Sequence, residues 1–182
     1  MMWRDDGDRF GTVSIVNHWL VALVVIALLL SGLVIGELVE EGPVRTALLG
    51  PHKAVGVLVL ALVAWLPLWW ALQTDRPGAI PGTPPLEAFA RKAMHVLLLG
   101  GTAILALSGI VMATFKGKPV DAWLFTIPAQ AETPWLANVA HDVHVVGGWI
   151  LLAAVAGHAA VGLKHHLLDH DATLDRMVGR HA

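Results

Sequence analysis

The chain has 182 residues, 56% of them hydrophobic and 14% charged, against about 25% charged in an ordinary soluble domain. With a mean hydropathy of +0.66, so small a chain lacks the polar surface needed to cover a soluble core. It has no cysteine, which excludes disulfides, thiolate-held iron–sulfur clusters, covalent c-type haem attachment and a cysteine nucleophile. A net charge of -2 leaves no nucleic-acid footprint, so no nucleic-acid partner is expected.

The expected fold is all-α: a four-helix bundle integral to the membrane, one domain over residues 1–182, surrounded by lipid. Residues 13–36 form a run of 24 residues with no formal charge and a single histidine, His18. At about 1.5 Å per residue this crosses a hydrocarbon core of about 30 Å. The leader before it carries Asp5, Asp6 and Asp8, the apolar run is too long for a signal-peptide core, and no small-x-small cleavage site follows. This segment is therefore expected to stay in the mature protein. Gly36, Glu37, Glu40, Glu41 and Gly42-Pro43 signal the end of the span. A second span is expected over 51–72, opening at Pro51 and closing on Trp65, Trp69 and Trp70, which suit an interfacial aromatic belt. Residues 73–92, with Pro77, Pro81, Pro84 and Pro85, read as a linker. The third span is expected over 93–115 and a long loop over 116–137. The fourth is expected over 138–163 with Asn138 as its N-cap, followed by a polar tail.

Basic residues orient the bundle. Arg4, Arg9, Arg76, Arg91, Lys92, Lys164, Arg176 and Arg180 fall on one side, and Arg45, Lys53, Lys116 and Lys118 on the other. The positive-inside rule puts both termini in the cytoplasm, in a multi-pass protein expected in the inner (cytoplasmic) membrane of a bacterium.

Ten histidines are the unusual feature, because an ionisable or ligating group within a membrane has to justify its place, although a lone transmembrane histidine is more often packed or hydrogen-bonded than a ligand. His144 and His158 are fourteen residues apart on one span, about 3.9 turns, so their rings point the same way about 21 Å apart along the axis. Each has a partner at its own depth: His52 with His144 toward the outside, His18 with His158 toward the inside. Two histidines from different helices at one level suit a b-type haem with both axial positions filled, an arrangement for electron transfer rather than oxygen binding. Gly56, Gly147, Gly148, Gly157 and Gly162 leave room near these histidines for a flat macrocycle or a second helix. The alternatives are a proton relay, or a divalent metal at His141 and His144, which lacks a third ligand once Asp142 faces elsewhere.

The segments Asn17-His18-Trp19-Leu20, His52-Lys53-Ala54-Val55-Gly56, His95-Val96-Leu97-Leu98 and His144 to His158 resemble the bacterial cytochrome b561 family. So does the tail, Leu163-Lys164-His165-His166 followed by Asp171-Ala172-Thr173-Leu174-Asp175-Arg176-Met177. This family comprises four-helix dihaem proteins related to the cytochrome b subunits of hydrogenases and formate dehydrogenases. The resemblance covers about residues 12–178. It implies two haem b groups, an inner one on His18 and His158 and an outer one on His52 and His144, with His95 a non-ligand and the runner-up to His18.

Stand-alone members of the family resemble superoxide oxidases, which pass an electron from superoxide through both haems to ubiquinone. On that pattern Lys53, Lys116 and Lys118 are candidates for drawing an anion inward. His95 and His165 are candidates for holding a quinone carbonyl or a haem propionate. The chain departs from the family in having no arginine near the inner end of span two, no tyrosine after the span-three histidine, and no proline around Ala106. The alternative implied function is a membrane-anchoring electron-transfer subunit serving a redox partner protein such as a dehydrogenase or hydrogenase. A haem-free transporter with a histidine relay is a third reading; it lacks a broken helix or an intramembrane acid in its favour.

Overall fold

The computed structural model describes residues 2–7, 9–78 and 83–179. Asp8 of the leader, Pro81 of the linker and Arg180 of the tail lie outside the described residues.

Four long helices make the molecule: α1 (Thr12–Leu33), α2 (Pro43–Ala71), α3 (Pro85–Thr114) and α4 (Pro134–Leu167). Each is long and apolar enough to cross a membrane. A fifth, short helix, α5 (Thr173–Met177), ends the described chain. Two-residue strands β1 (Val120–Asp121) and β2 (Thr126–Ile127) pair antiparallel in the α3–α4 loop, with Val120 opposite Ile127.

The helices outrun the apolar spans. α1 runs on through a π-helical turn, Val34–Leu38, and stops where Val39 becomes extended. α2 begins at Pro43, a residue whose fixed φ suits a first turn, so Pro51 lies inside the helix. Pro51 has no N–H to give the preceding turn, a loss that membrane helices tolerate. α3 begins at Pro85, inside the segment expected to be linker, because helix formers follow the proline pair at once. α4 begins at Pro134 rather than at Asn138 and has 34 residues. At about 1.5 Å each it is roughly 51 Å long and reaches beyond the hydrocarbon into the tail.

Successive helices run antiparallel, so both termini fall at one end of the bundle, called here the terminal end, and the α3–α4 loop at the opposite, loop end. At the terminal end Trp19 Nε1 donates to the Met177 carbonyl at 2.8 Å, the Asp5 amide donates to Gln73 Oε1 at 3.2 Å, and Arg76 lies 3.8 Å over the Trp70 ring. Arg176 of the tail donates to the Gly78 carbonyl at 3.2 Å, so leader, linker and tail are tied together. At the loop end Val57, Ala113, Val120 and Ala122 are buried together, so the strand pair caps the bundle. Gly117, at φ 71° in the left-handed region that glycine favours, turns the chain out of α3 directly over Glu132.

The central core takes residues from every long helix: Val25, Val59, Val63, Ala106 and Leu151. α3 and α4 pack by a reciprocal device. A Cβ on Gly101 would stand 3.1 Å from Leu151 Cδ1, and one on Gly147 would stand 3.0 Å from Leu105 Cδ2. Each helix thus seats a leucine over a glycine of its neighbour, the close approach that small residues give membrane helices. Gly147→Val should overpack this contact and cost about 1–3 kcal/mol, read as a lower midpoint in thermal unfolding of the detergent-solubilised protein.

Candidate functional site

The helical phase of α4 carries His144 toward the loop end and His158 toward the terminal end, and each meets a histidine from another helix. The His52 and His144 rings have centroids 6.3 Å apart. His18 and His158 are also 6.3 Å apart. All four side chains are half-buried.

At the loop end the rings are held from behind. Ser31 Oγ–H donates to the Leu28 carbonyl at 3.0 Å, and Ser31 Oγ lies 2.8 Å from His52 Nδ1. Both bonds form together only when Nδ1 carries the imidazole proton and Nε2 carries the free lone pair. His144 Nδ1 lies 2.8 Å from the Leu105 carbonyl, which can only accept, so its proton is also on Nδ1. Ser108 Oγ is 3.1 Å from the same nitrogen and donates to Leu105 at 2.9 Å. Two glycines complete the support. A Cβ on Gly32 would stand 3.3 Å from His52 Cε1, and a Cβ on Gly109 would stand 3.0 Å from His144 Cε1.

These two rings open on a cleft lined also by Gly36, Gly56 and Gly148. A Cβ on any of these three glycines would meet no atom within 4 Å, so their missing side chains leave free space along the wall. Of the glycines singled out by sequence, Gly56 and Gly148 line the cleft, whereas Gly147 serves helix packing.

A second cleft at the terminal end is lined by His18, His95 and His158. His95 donates from Nδ1 to the Arg91 carbonyl at 2.7 Å, and its ring centroid lies 5.2 Å from that of His158. Val25 and Thr102 line both clefts, so a shared wall separates them.

The remaining candidates lie around these clefts. Lys53 is half-buried next to His52, and Lys116 and Lys118 are exposed where α3 ends. His165 is drawn into the tail: its Nδ1 lies 2.9 Å from Asp169 Oδ2 and 3.1 Å from Asp171 Oδ2, with Glu87 3.7 Å from Nε2. The Lys164 hydrogen bond holds the Asp169 carboxyl below its ordinary range. Asp171, which burial alone would raise, is also lowered, by hydrogen bonds from Thr173. His141 pairs with Asp142 at 3.3 Å, and among the described residues no group of three or more histidine or acidic side chains is arranged to hold a metal ion.

Over residues 9–180 the sequence matches the prokaryotic cytochrome b561 family. The chain belongs to this family. It is 29% identical to cytochrome b561 homolog 2 of Escherichia coli (strain K12), over 99% of this chain and 96% of that protein. It is 26% identical to cytochrome b561 homolog 1 of the same organism, over 95% of this chain and 98% of that protein. Family and fold together make it a bacterial membrane protein of b-type haem, a chemistry suited to electron transfer across the bilayer.

Sequence reasoning missed Ser31, Gly32, Ser108 and Gly109. The signal was there as a repeat: Leu30-Ser31-Gly32-Leu33-Val34 on α1 matches Leu107-Ser108-Gly109-Ile110-Val111 on α3. Gly109→Val should push the His144 ring out of place and lower the haem bound per chain, measured as pyridine haemochrome. Gly100→Val, whose Cβ would meet nothing within 4 Å, should leave haem content unchanged.

Proposed function

We propose that the chain is a dihaem cytochrome that carries electrons from an outer donor, superoxide, to a quinone at the cytoplasmic side of the bacterial inner membrane. The reading rests on the two histidine pairs at opposite ends of the bundle. Two imidazoles bound to one metal ion at about 2 Å, with about 1.1 Å from nitrogen to ring centre, have centroids about 6 Å apart. Both pairs match this at 6.3 Å. His95 and His158, at 5.2 Å, are too close, which favours His18 over His95 as the partner of His158. The donor set is purely imidazole, and the free space over Gly36, Gly56 and Gly148 suits a flat macrocycle.

In this reading His52 and His144 hold the outer haem and His18 and His158 the inner one. Held by these four imidazoles, the haems would supply one-electron chemistry. Lys53, Lys116 and Lys118 stand at the loop end, facing outward if the basic residues orient the protein, and raise the local concentration of an anionic donor. Superoxide gives up one electron and leaves as dioxygen. Two such electrons, with two protons from the cytoplasmic side, convert a quinone to its quinol. His95, in the terminal-end cleft with Nδ1 already donating to the Arg91 carbonyl, keeps the Nε2 lone pair to accept from a quinol hydroxyl; as the imidazolium it would donate from Nε2 to a quinone carbonyl or a haem propionate. His165, set among three carboxylates, is the second candidate for that role.

The absent span-two arginine favours a second reading, a membrane anchor delivering electrons to or from a partner subunit. At that end of α2 Trp69 Nε1 instead donates to Ser14 Oγ at 2.8 Å. Superoxide-dependent quinone reduction by the purified single chain separates the two; its absence in a fully haem-loaded preparation favours the anchor.

The detergent-purified protein should carry two b-type haems per chain. His144→Ala should lose the haem at one end and His158→Ala the haem at the other, each variant retaining one; a variant that keeps both would overturn the pairing. Lys116→Gln with Lys118→Gln should slow reduction by superoxide and flatten its dependence on ionic strength, at unchanged haem content.

A further inference from the structure

We infer that the Ser31-Gly32 and Ser108-Gly109 steps give the loop-end histidine pair the lower reduction potential, so that electrons run downhill from the loop end to the terminal end. This rests on the reading that each pair holds one haem.

The two ends differ in how their imidazoles are supported. At the loop end both rings donate from Nδ1, His52 to Ser31 Oγ and His144 to the Leu105 carbonyl and Ser108 Oγ. Among the described residues neither His18 nor His158 has a hydrogen-bond partner for its ring. An imidazole that gives its second N–H to an acceptor becomes a more basic ligand. It pushes more electron density onto the metal and stabilises the oxidised state, which lowers the potential. The unsupported terminal-end pair lacks this effect.

Geometry makes the support specific. Gly32 and Gly109 follow the serines directly, and their missing side chains leave room for the His52 and His144 rings. One short step thus supplies both the acceptor and the seat, once on α1 for the ring from α2 and once on α3 for the ring from α4. Lys53 works in the opposite direction, since a positive charge favours the reduced state. Among the described residues it makes no hydrogen bond to either ring, whereas the serine acts on the ligand itself. Transfer moves one electron: the loop-end site is oxidised by one, the terminal-end site is reduced by one, and no bond is made or proton moved.

The two supports are unequal, which yields a graded test. Among the described residues Ser31 is the sole Nδ1 partner of His52, whereas His144 keeps the Leu105 carbonyl if Ser108 is lost. A spectroelectrochemical titration of the two-haem protein should resolve two midpoints. Ser31→Ala should raise the lower one, Ser108→Ala should raise it less, and neither should move the upper one. Ser31→Thr, which keeps the hydroxyl, should restore the original value. His144→Ala gives a check independent of the serines: the haem it retains should titrate at the upper midpoint. The inference is overturned if Ser31→Ala retains both haems and moves the upper midpoint or neither, or if the haem kept by His144→Ala titrates at the lower midpoint. Fewer than two haems in the unsubstituted protein would instead overturn the dihaem reading on which the inference rests.

Discussion

A bilayer offers no water to a polar group inside it, so each such group must find its partner within the protein. That constraint organises this bundle. Ser31, Thr102, Ser108 and Thr114 each return a hydroxyl proton to a carbonyl of the preceding turn, the usual way a membrane helix hides a hydroxyl. The hydroxyl oxygens of Ser31 and Ser108 then have lone pairs to spare, and the loop-end histidines take them. Two buried side-chain nitrogens lack a hydrogen-bond partner among the described residues: Asn17 Nδ2 and Arg45 Nε. Both lie near the ends of their helices, where water and headgroups begin.

The same constraint explains how much could be read in advance. Apolar runs long enough to cross a bilayer identify themselves, because lipid tolerates nothing else, and helical phase alone puts His144 and His158 on one face. Helix ends were less legible. Pro51 has the form of a start signal, yet α2 had already begun at Pro43, and in lipid the proline cost too little to break it. Pro84-Pro85 reads as linker, although the second proline is the first residue of α3. In both cases a local signal was ambiguous because proline is acceptable both before a helix and in its first turn.

The supporting serines were hidden for a different reason. Mid-helix serine in a membrane protein is most often satisfied by its own backbone, and glycine beside it reads as packing. Only the crossing of α1 with α2 and of α3 with α4 gives Ser31 and Ser108 a second partner, and that is tertiary information. The tail posed the reverse case. His165 shares a helix with His158, but two turns on, beyond the apolar span, Asp169 and Asp171 fold back to surround it.

Val25 and Thr102 belong to the walls of both clefts. The barrier there is one layer of side chains, with the Thr102 hydroxyl already committed to the Leu98 carbonyl. An electron tunnels through such a layer readily, but a proton or a hydrated cation finds no chain of donors and acceptors to follow. For the transfer proposed here, negative charge would cross the membrane without its counter-ion, and the bundle would work as an insulated wire whose current responds to the voltage across the bilayer.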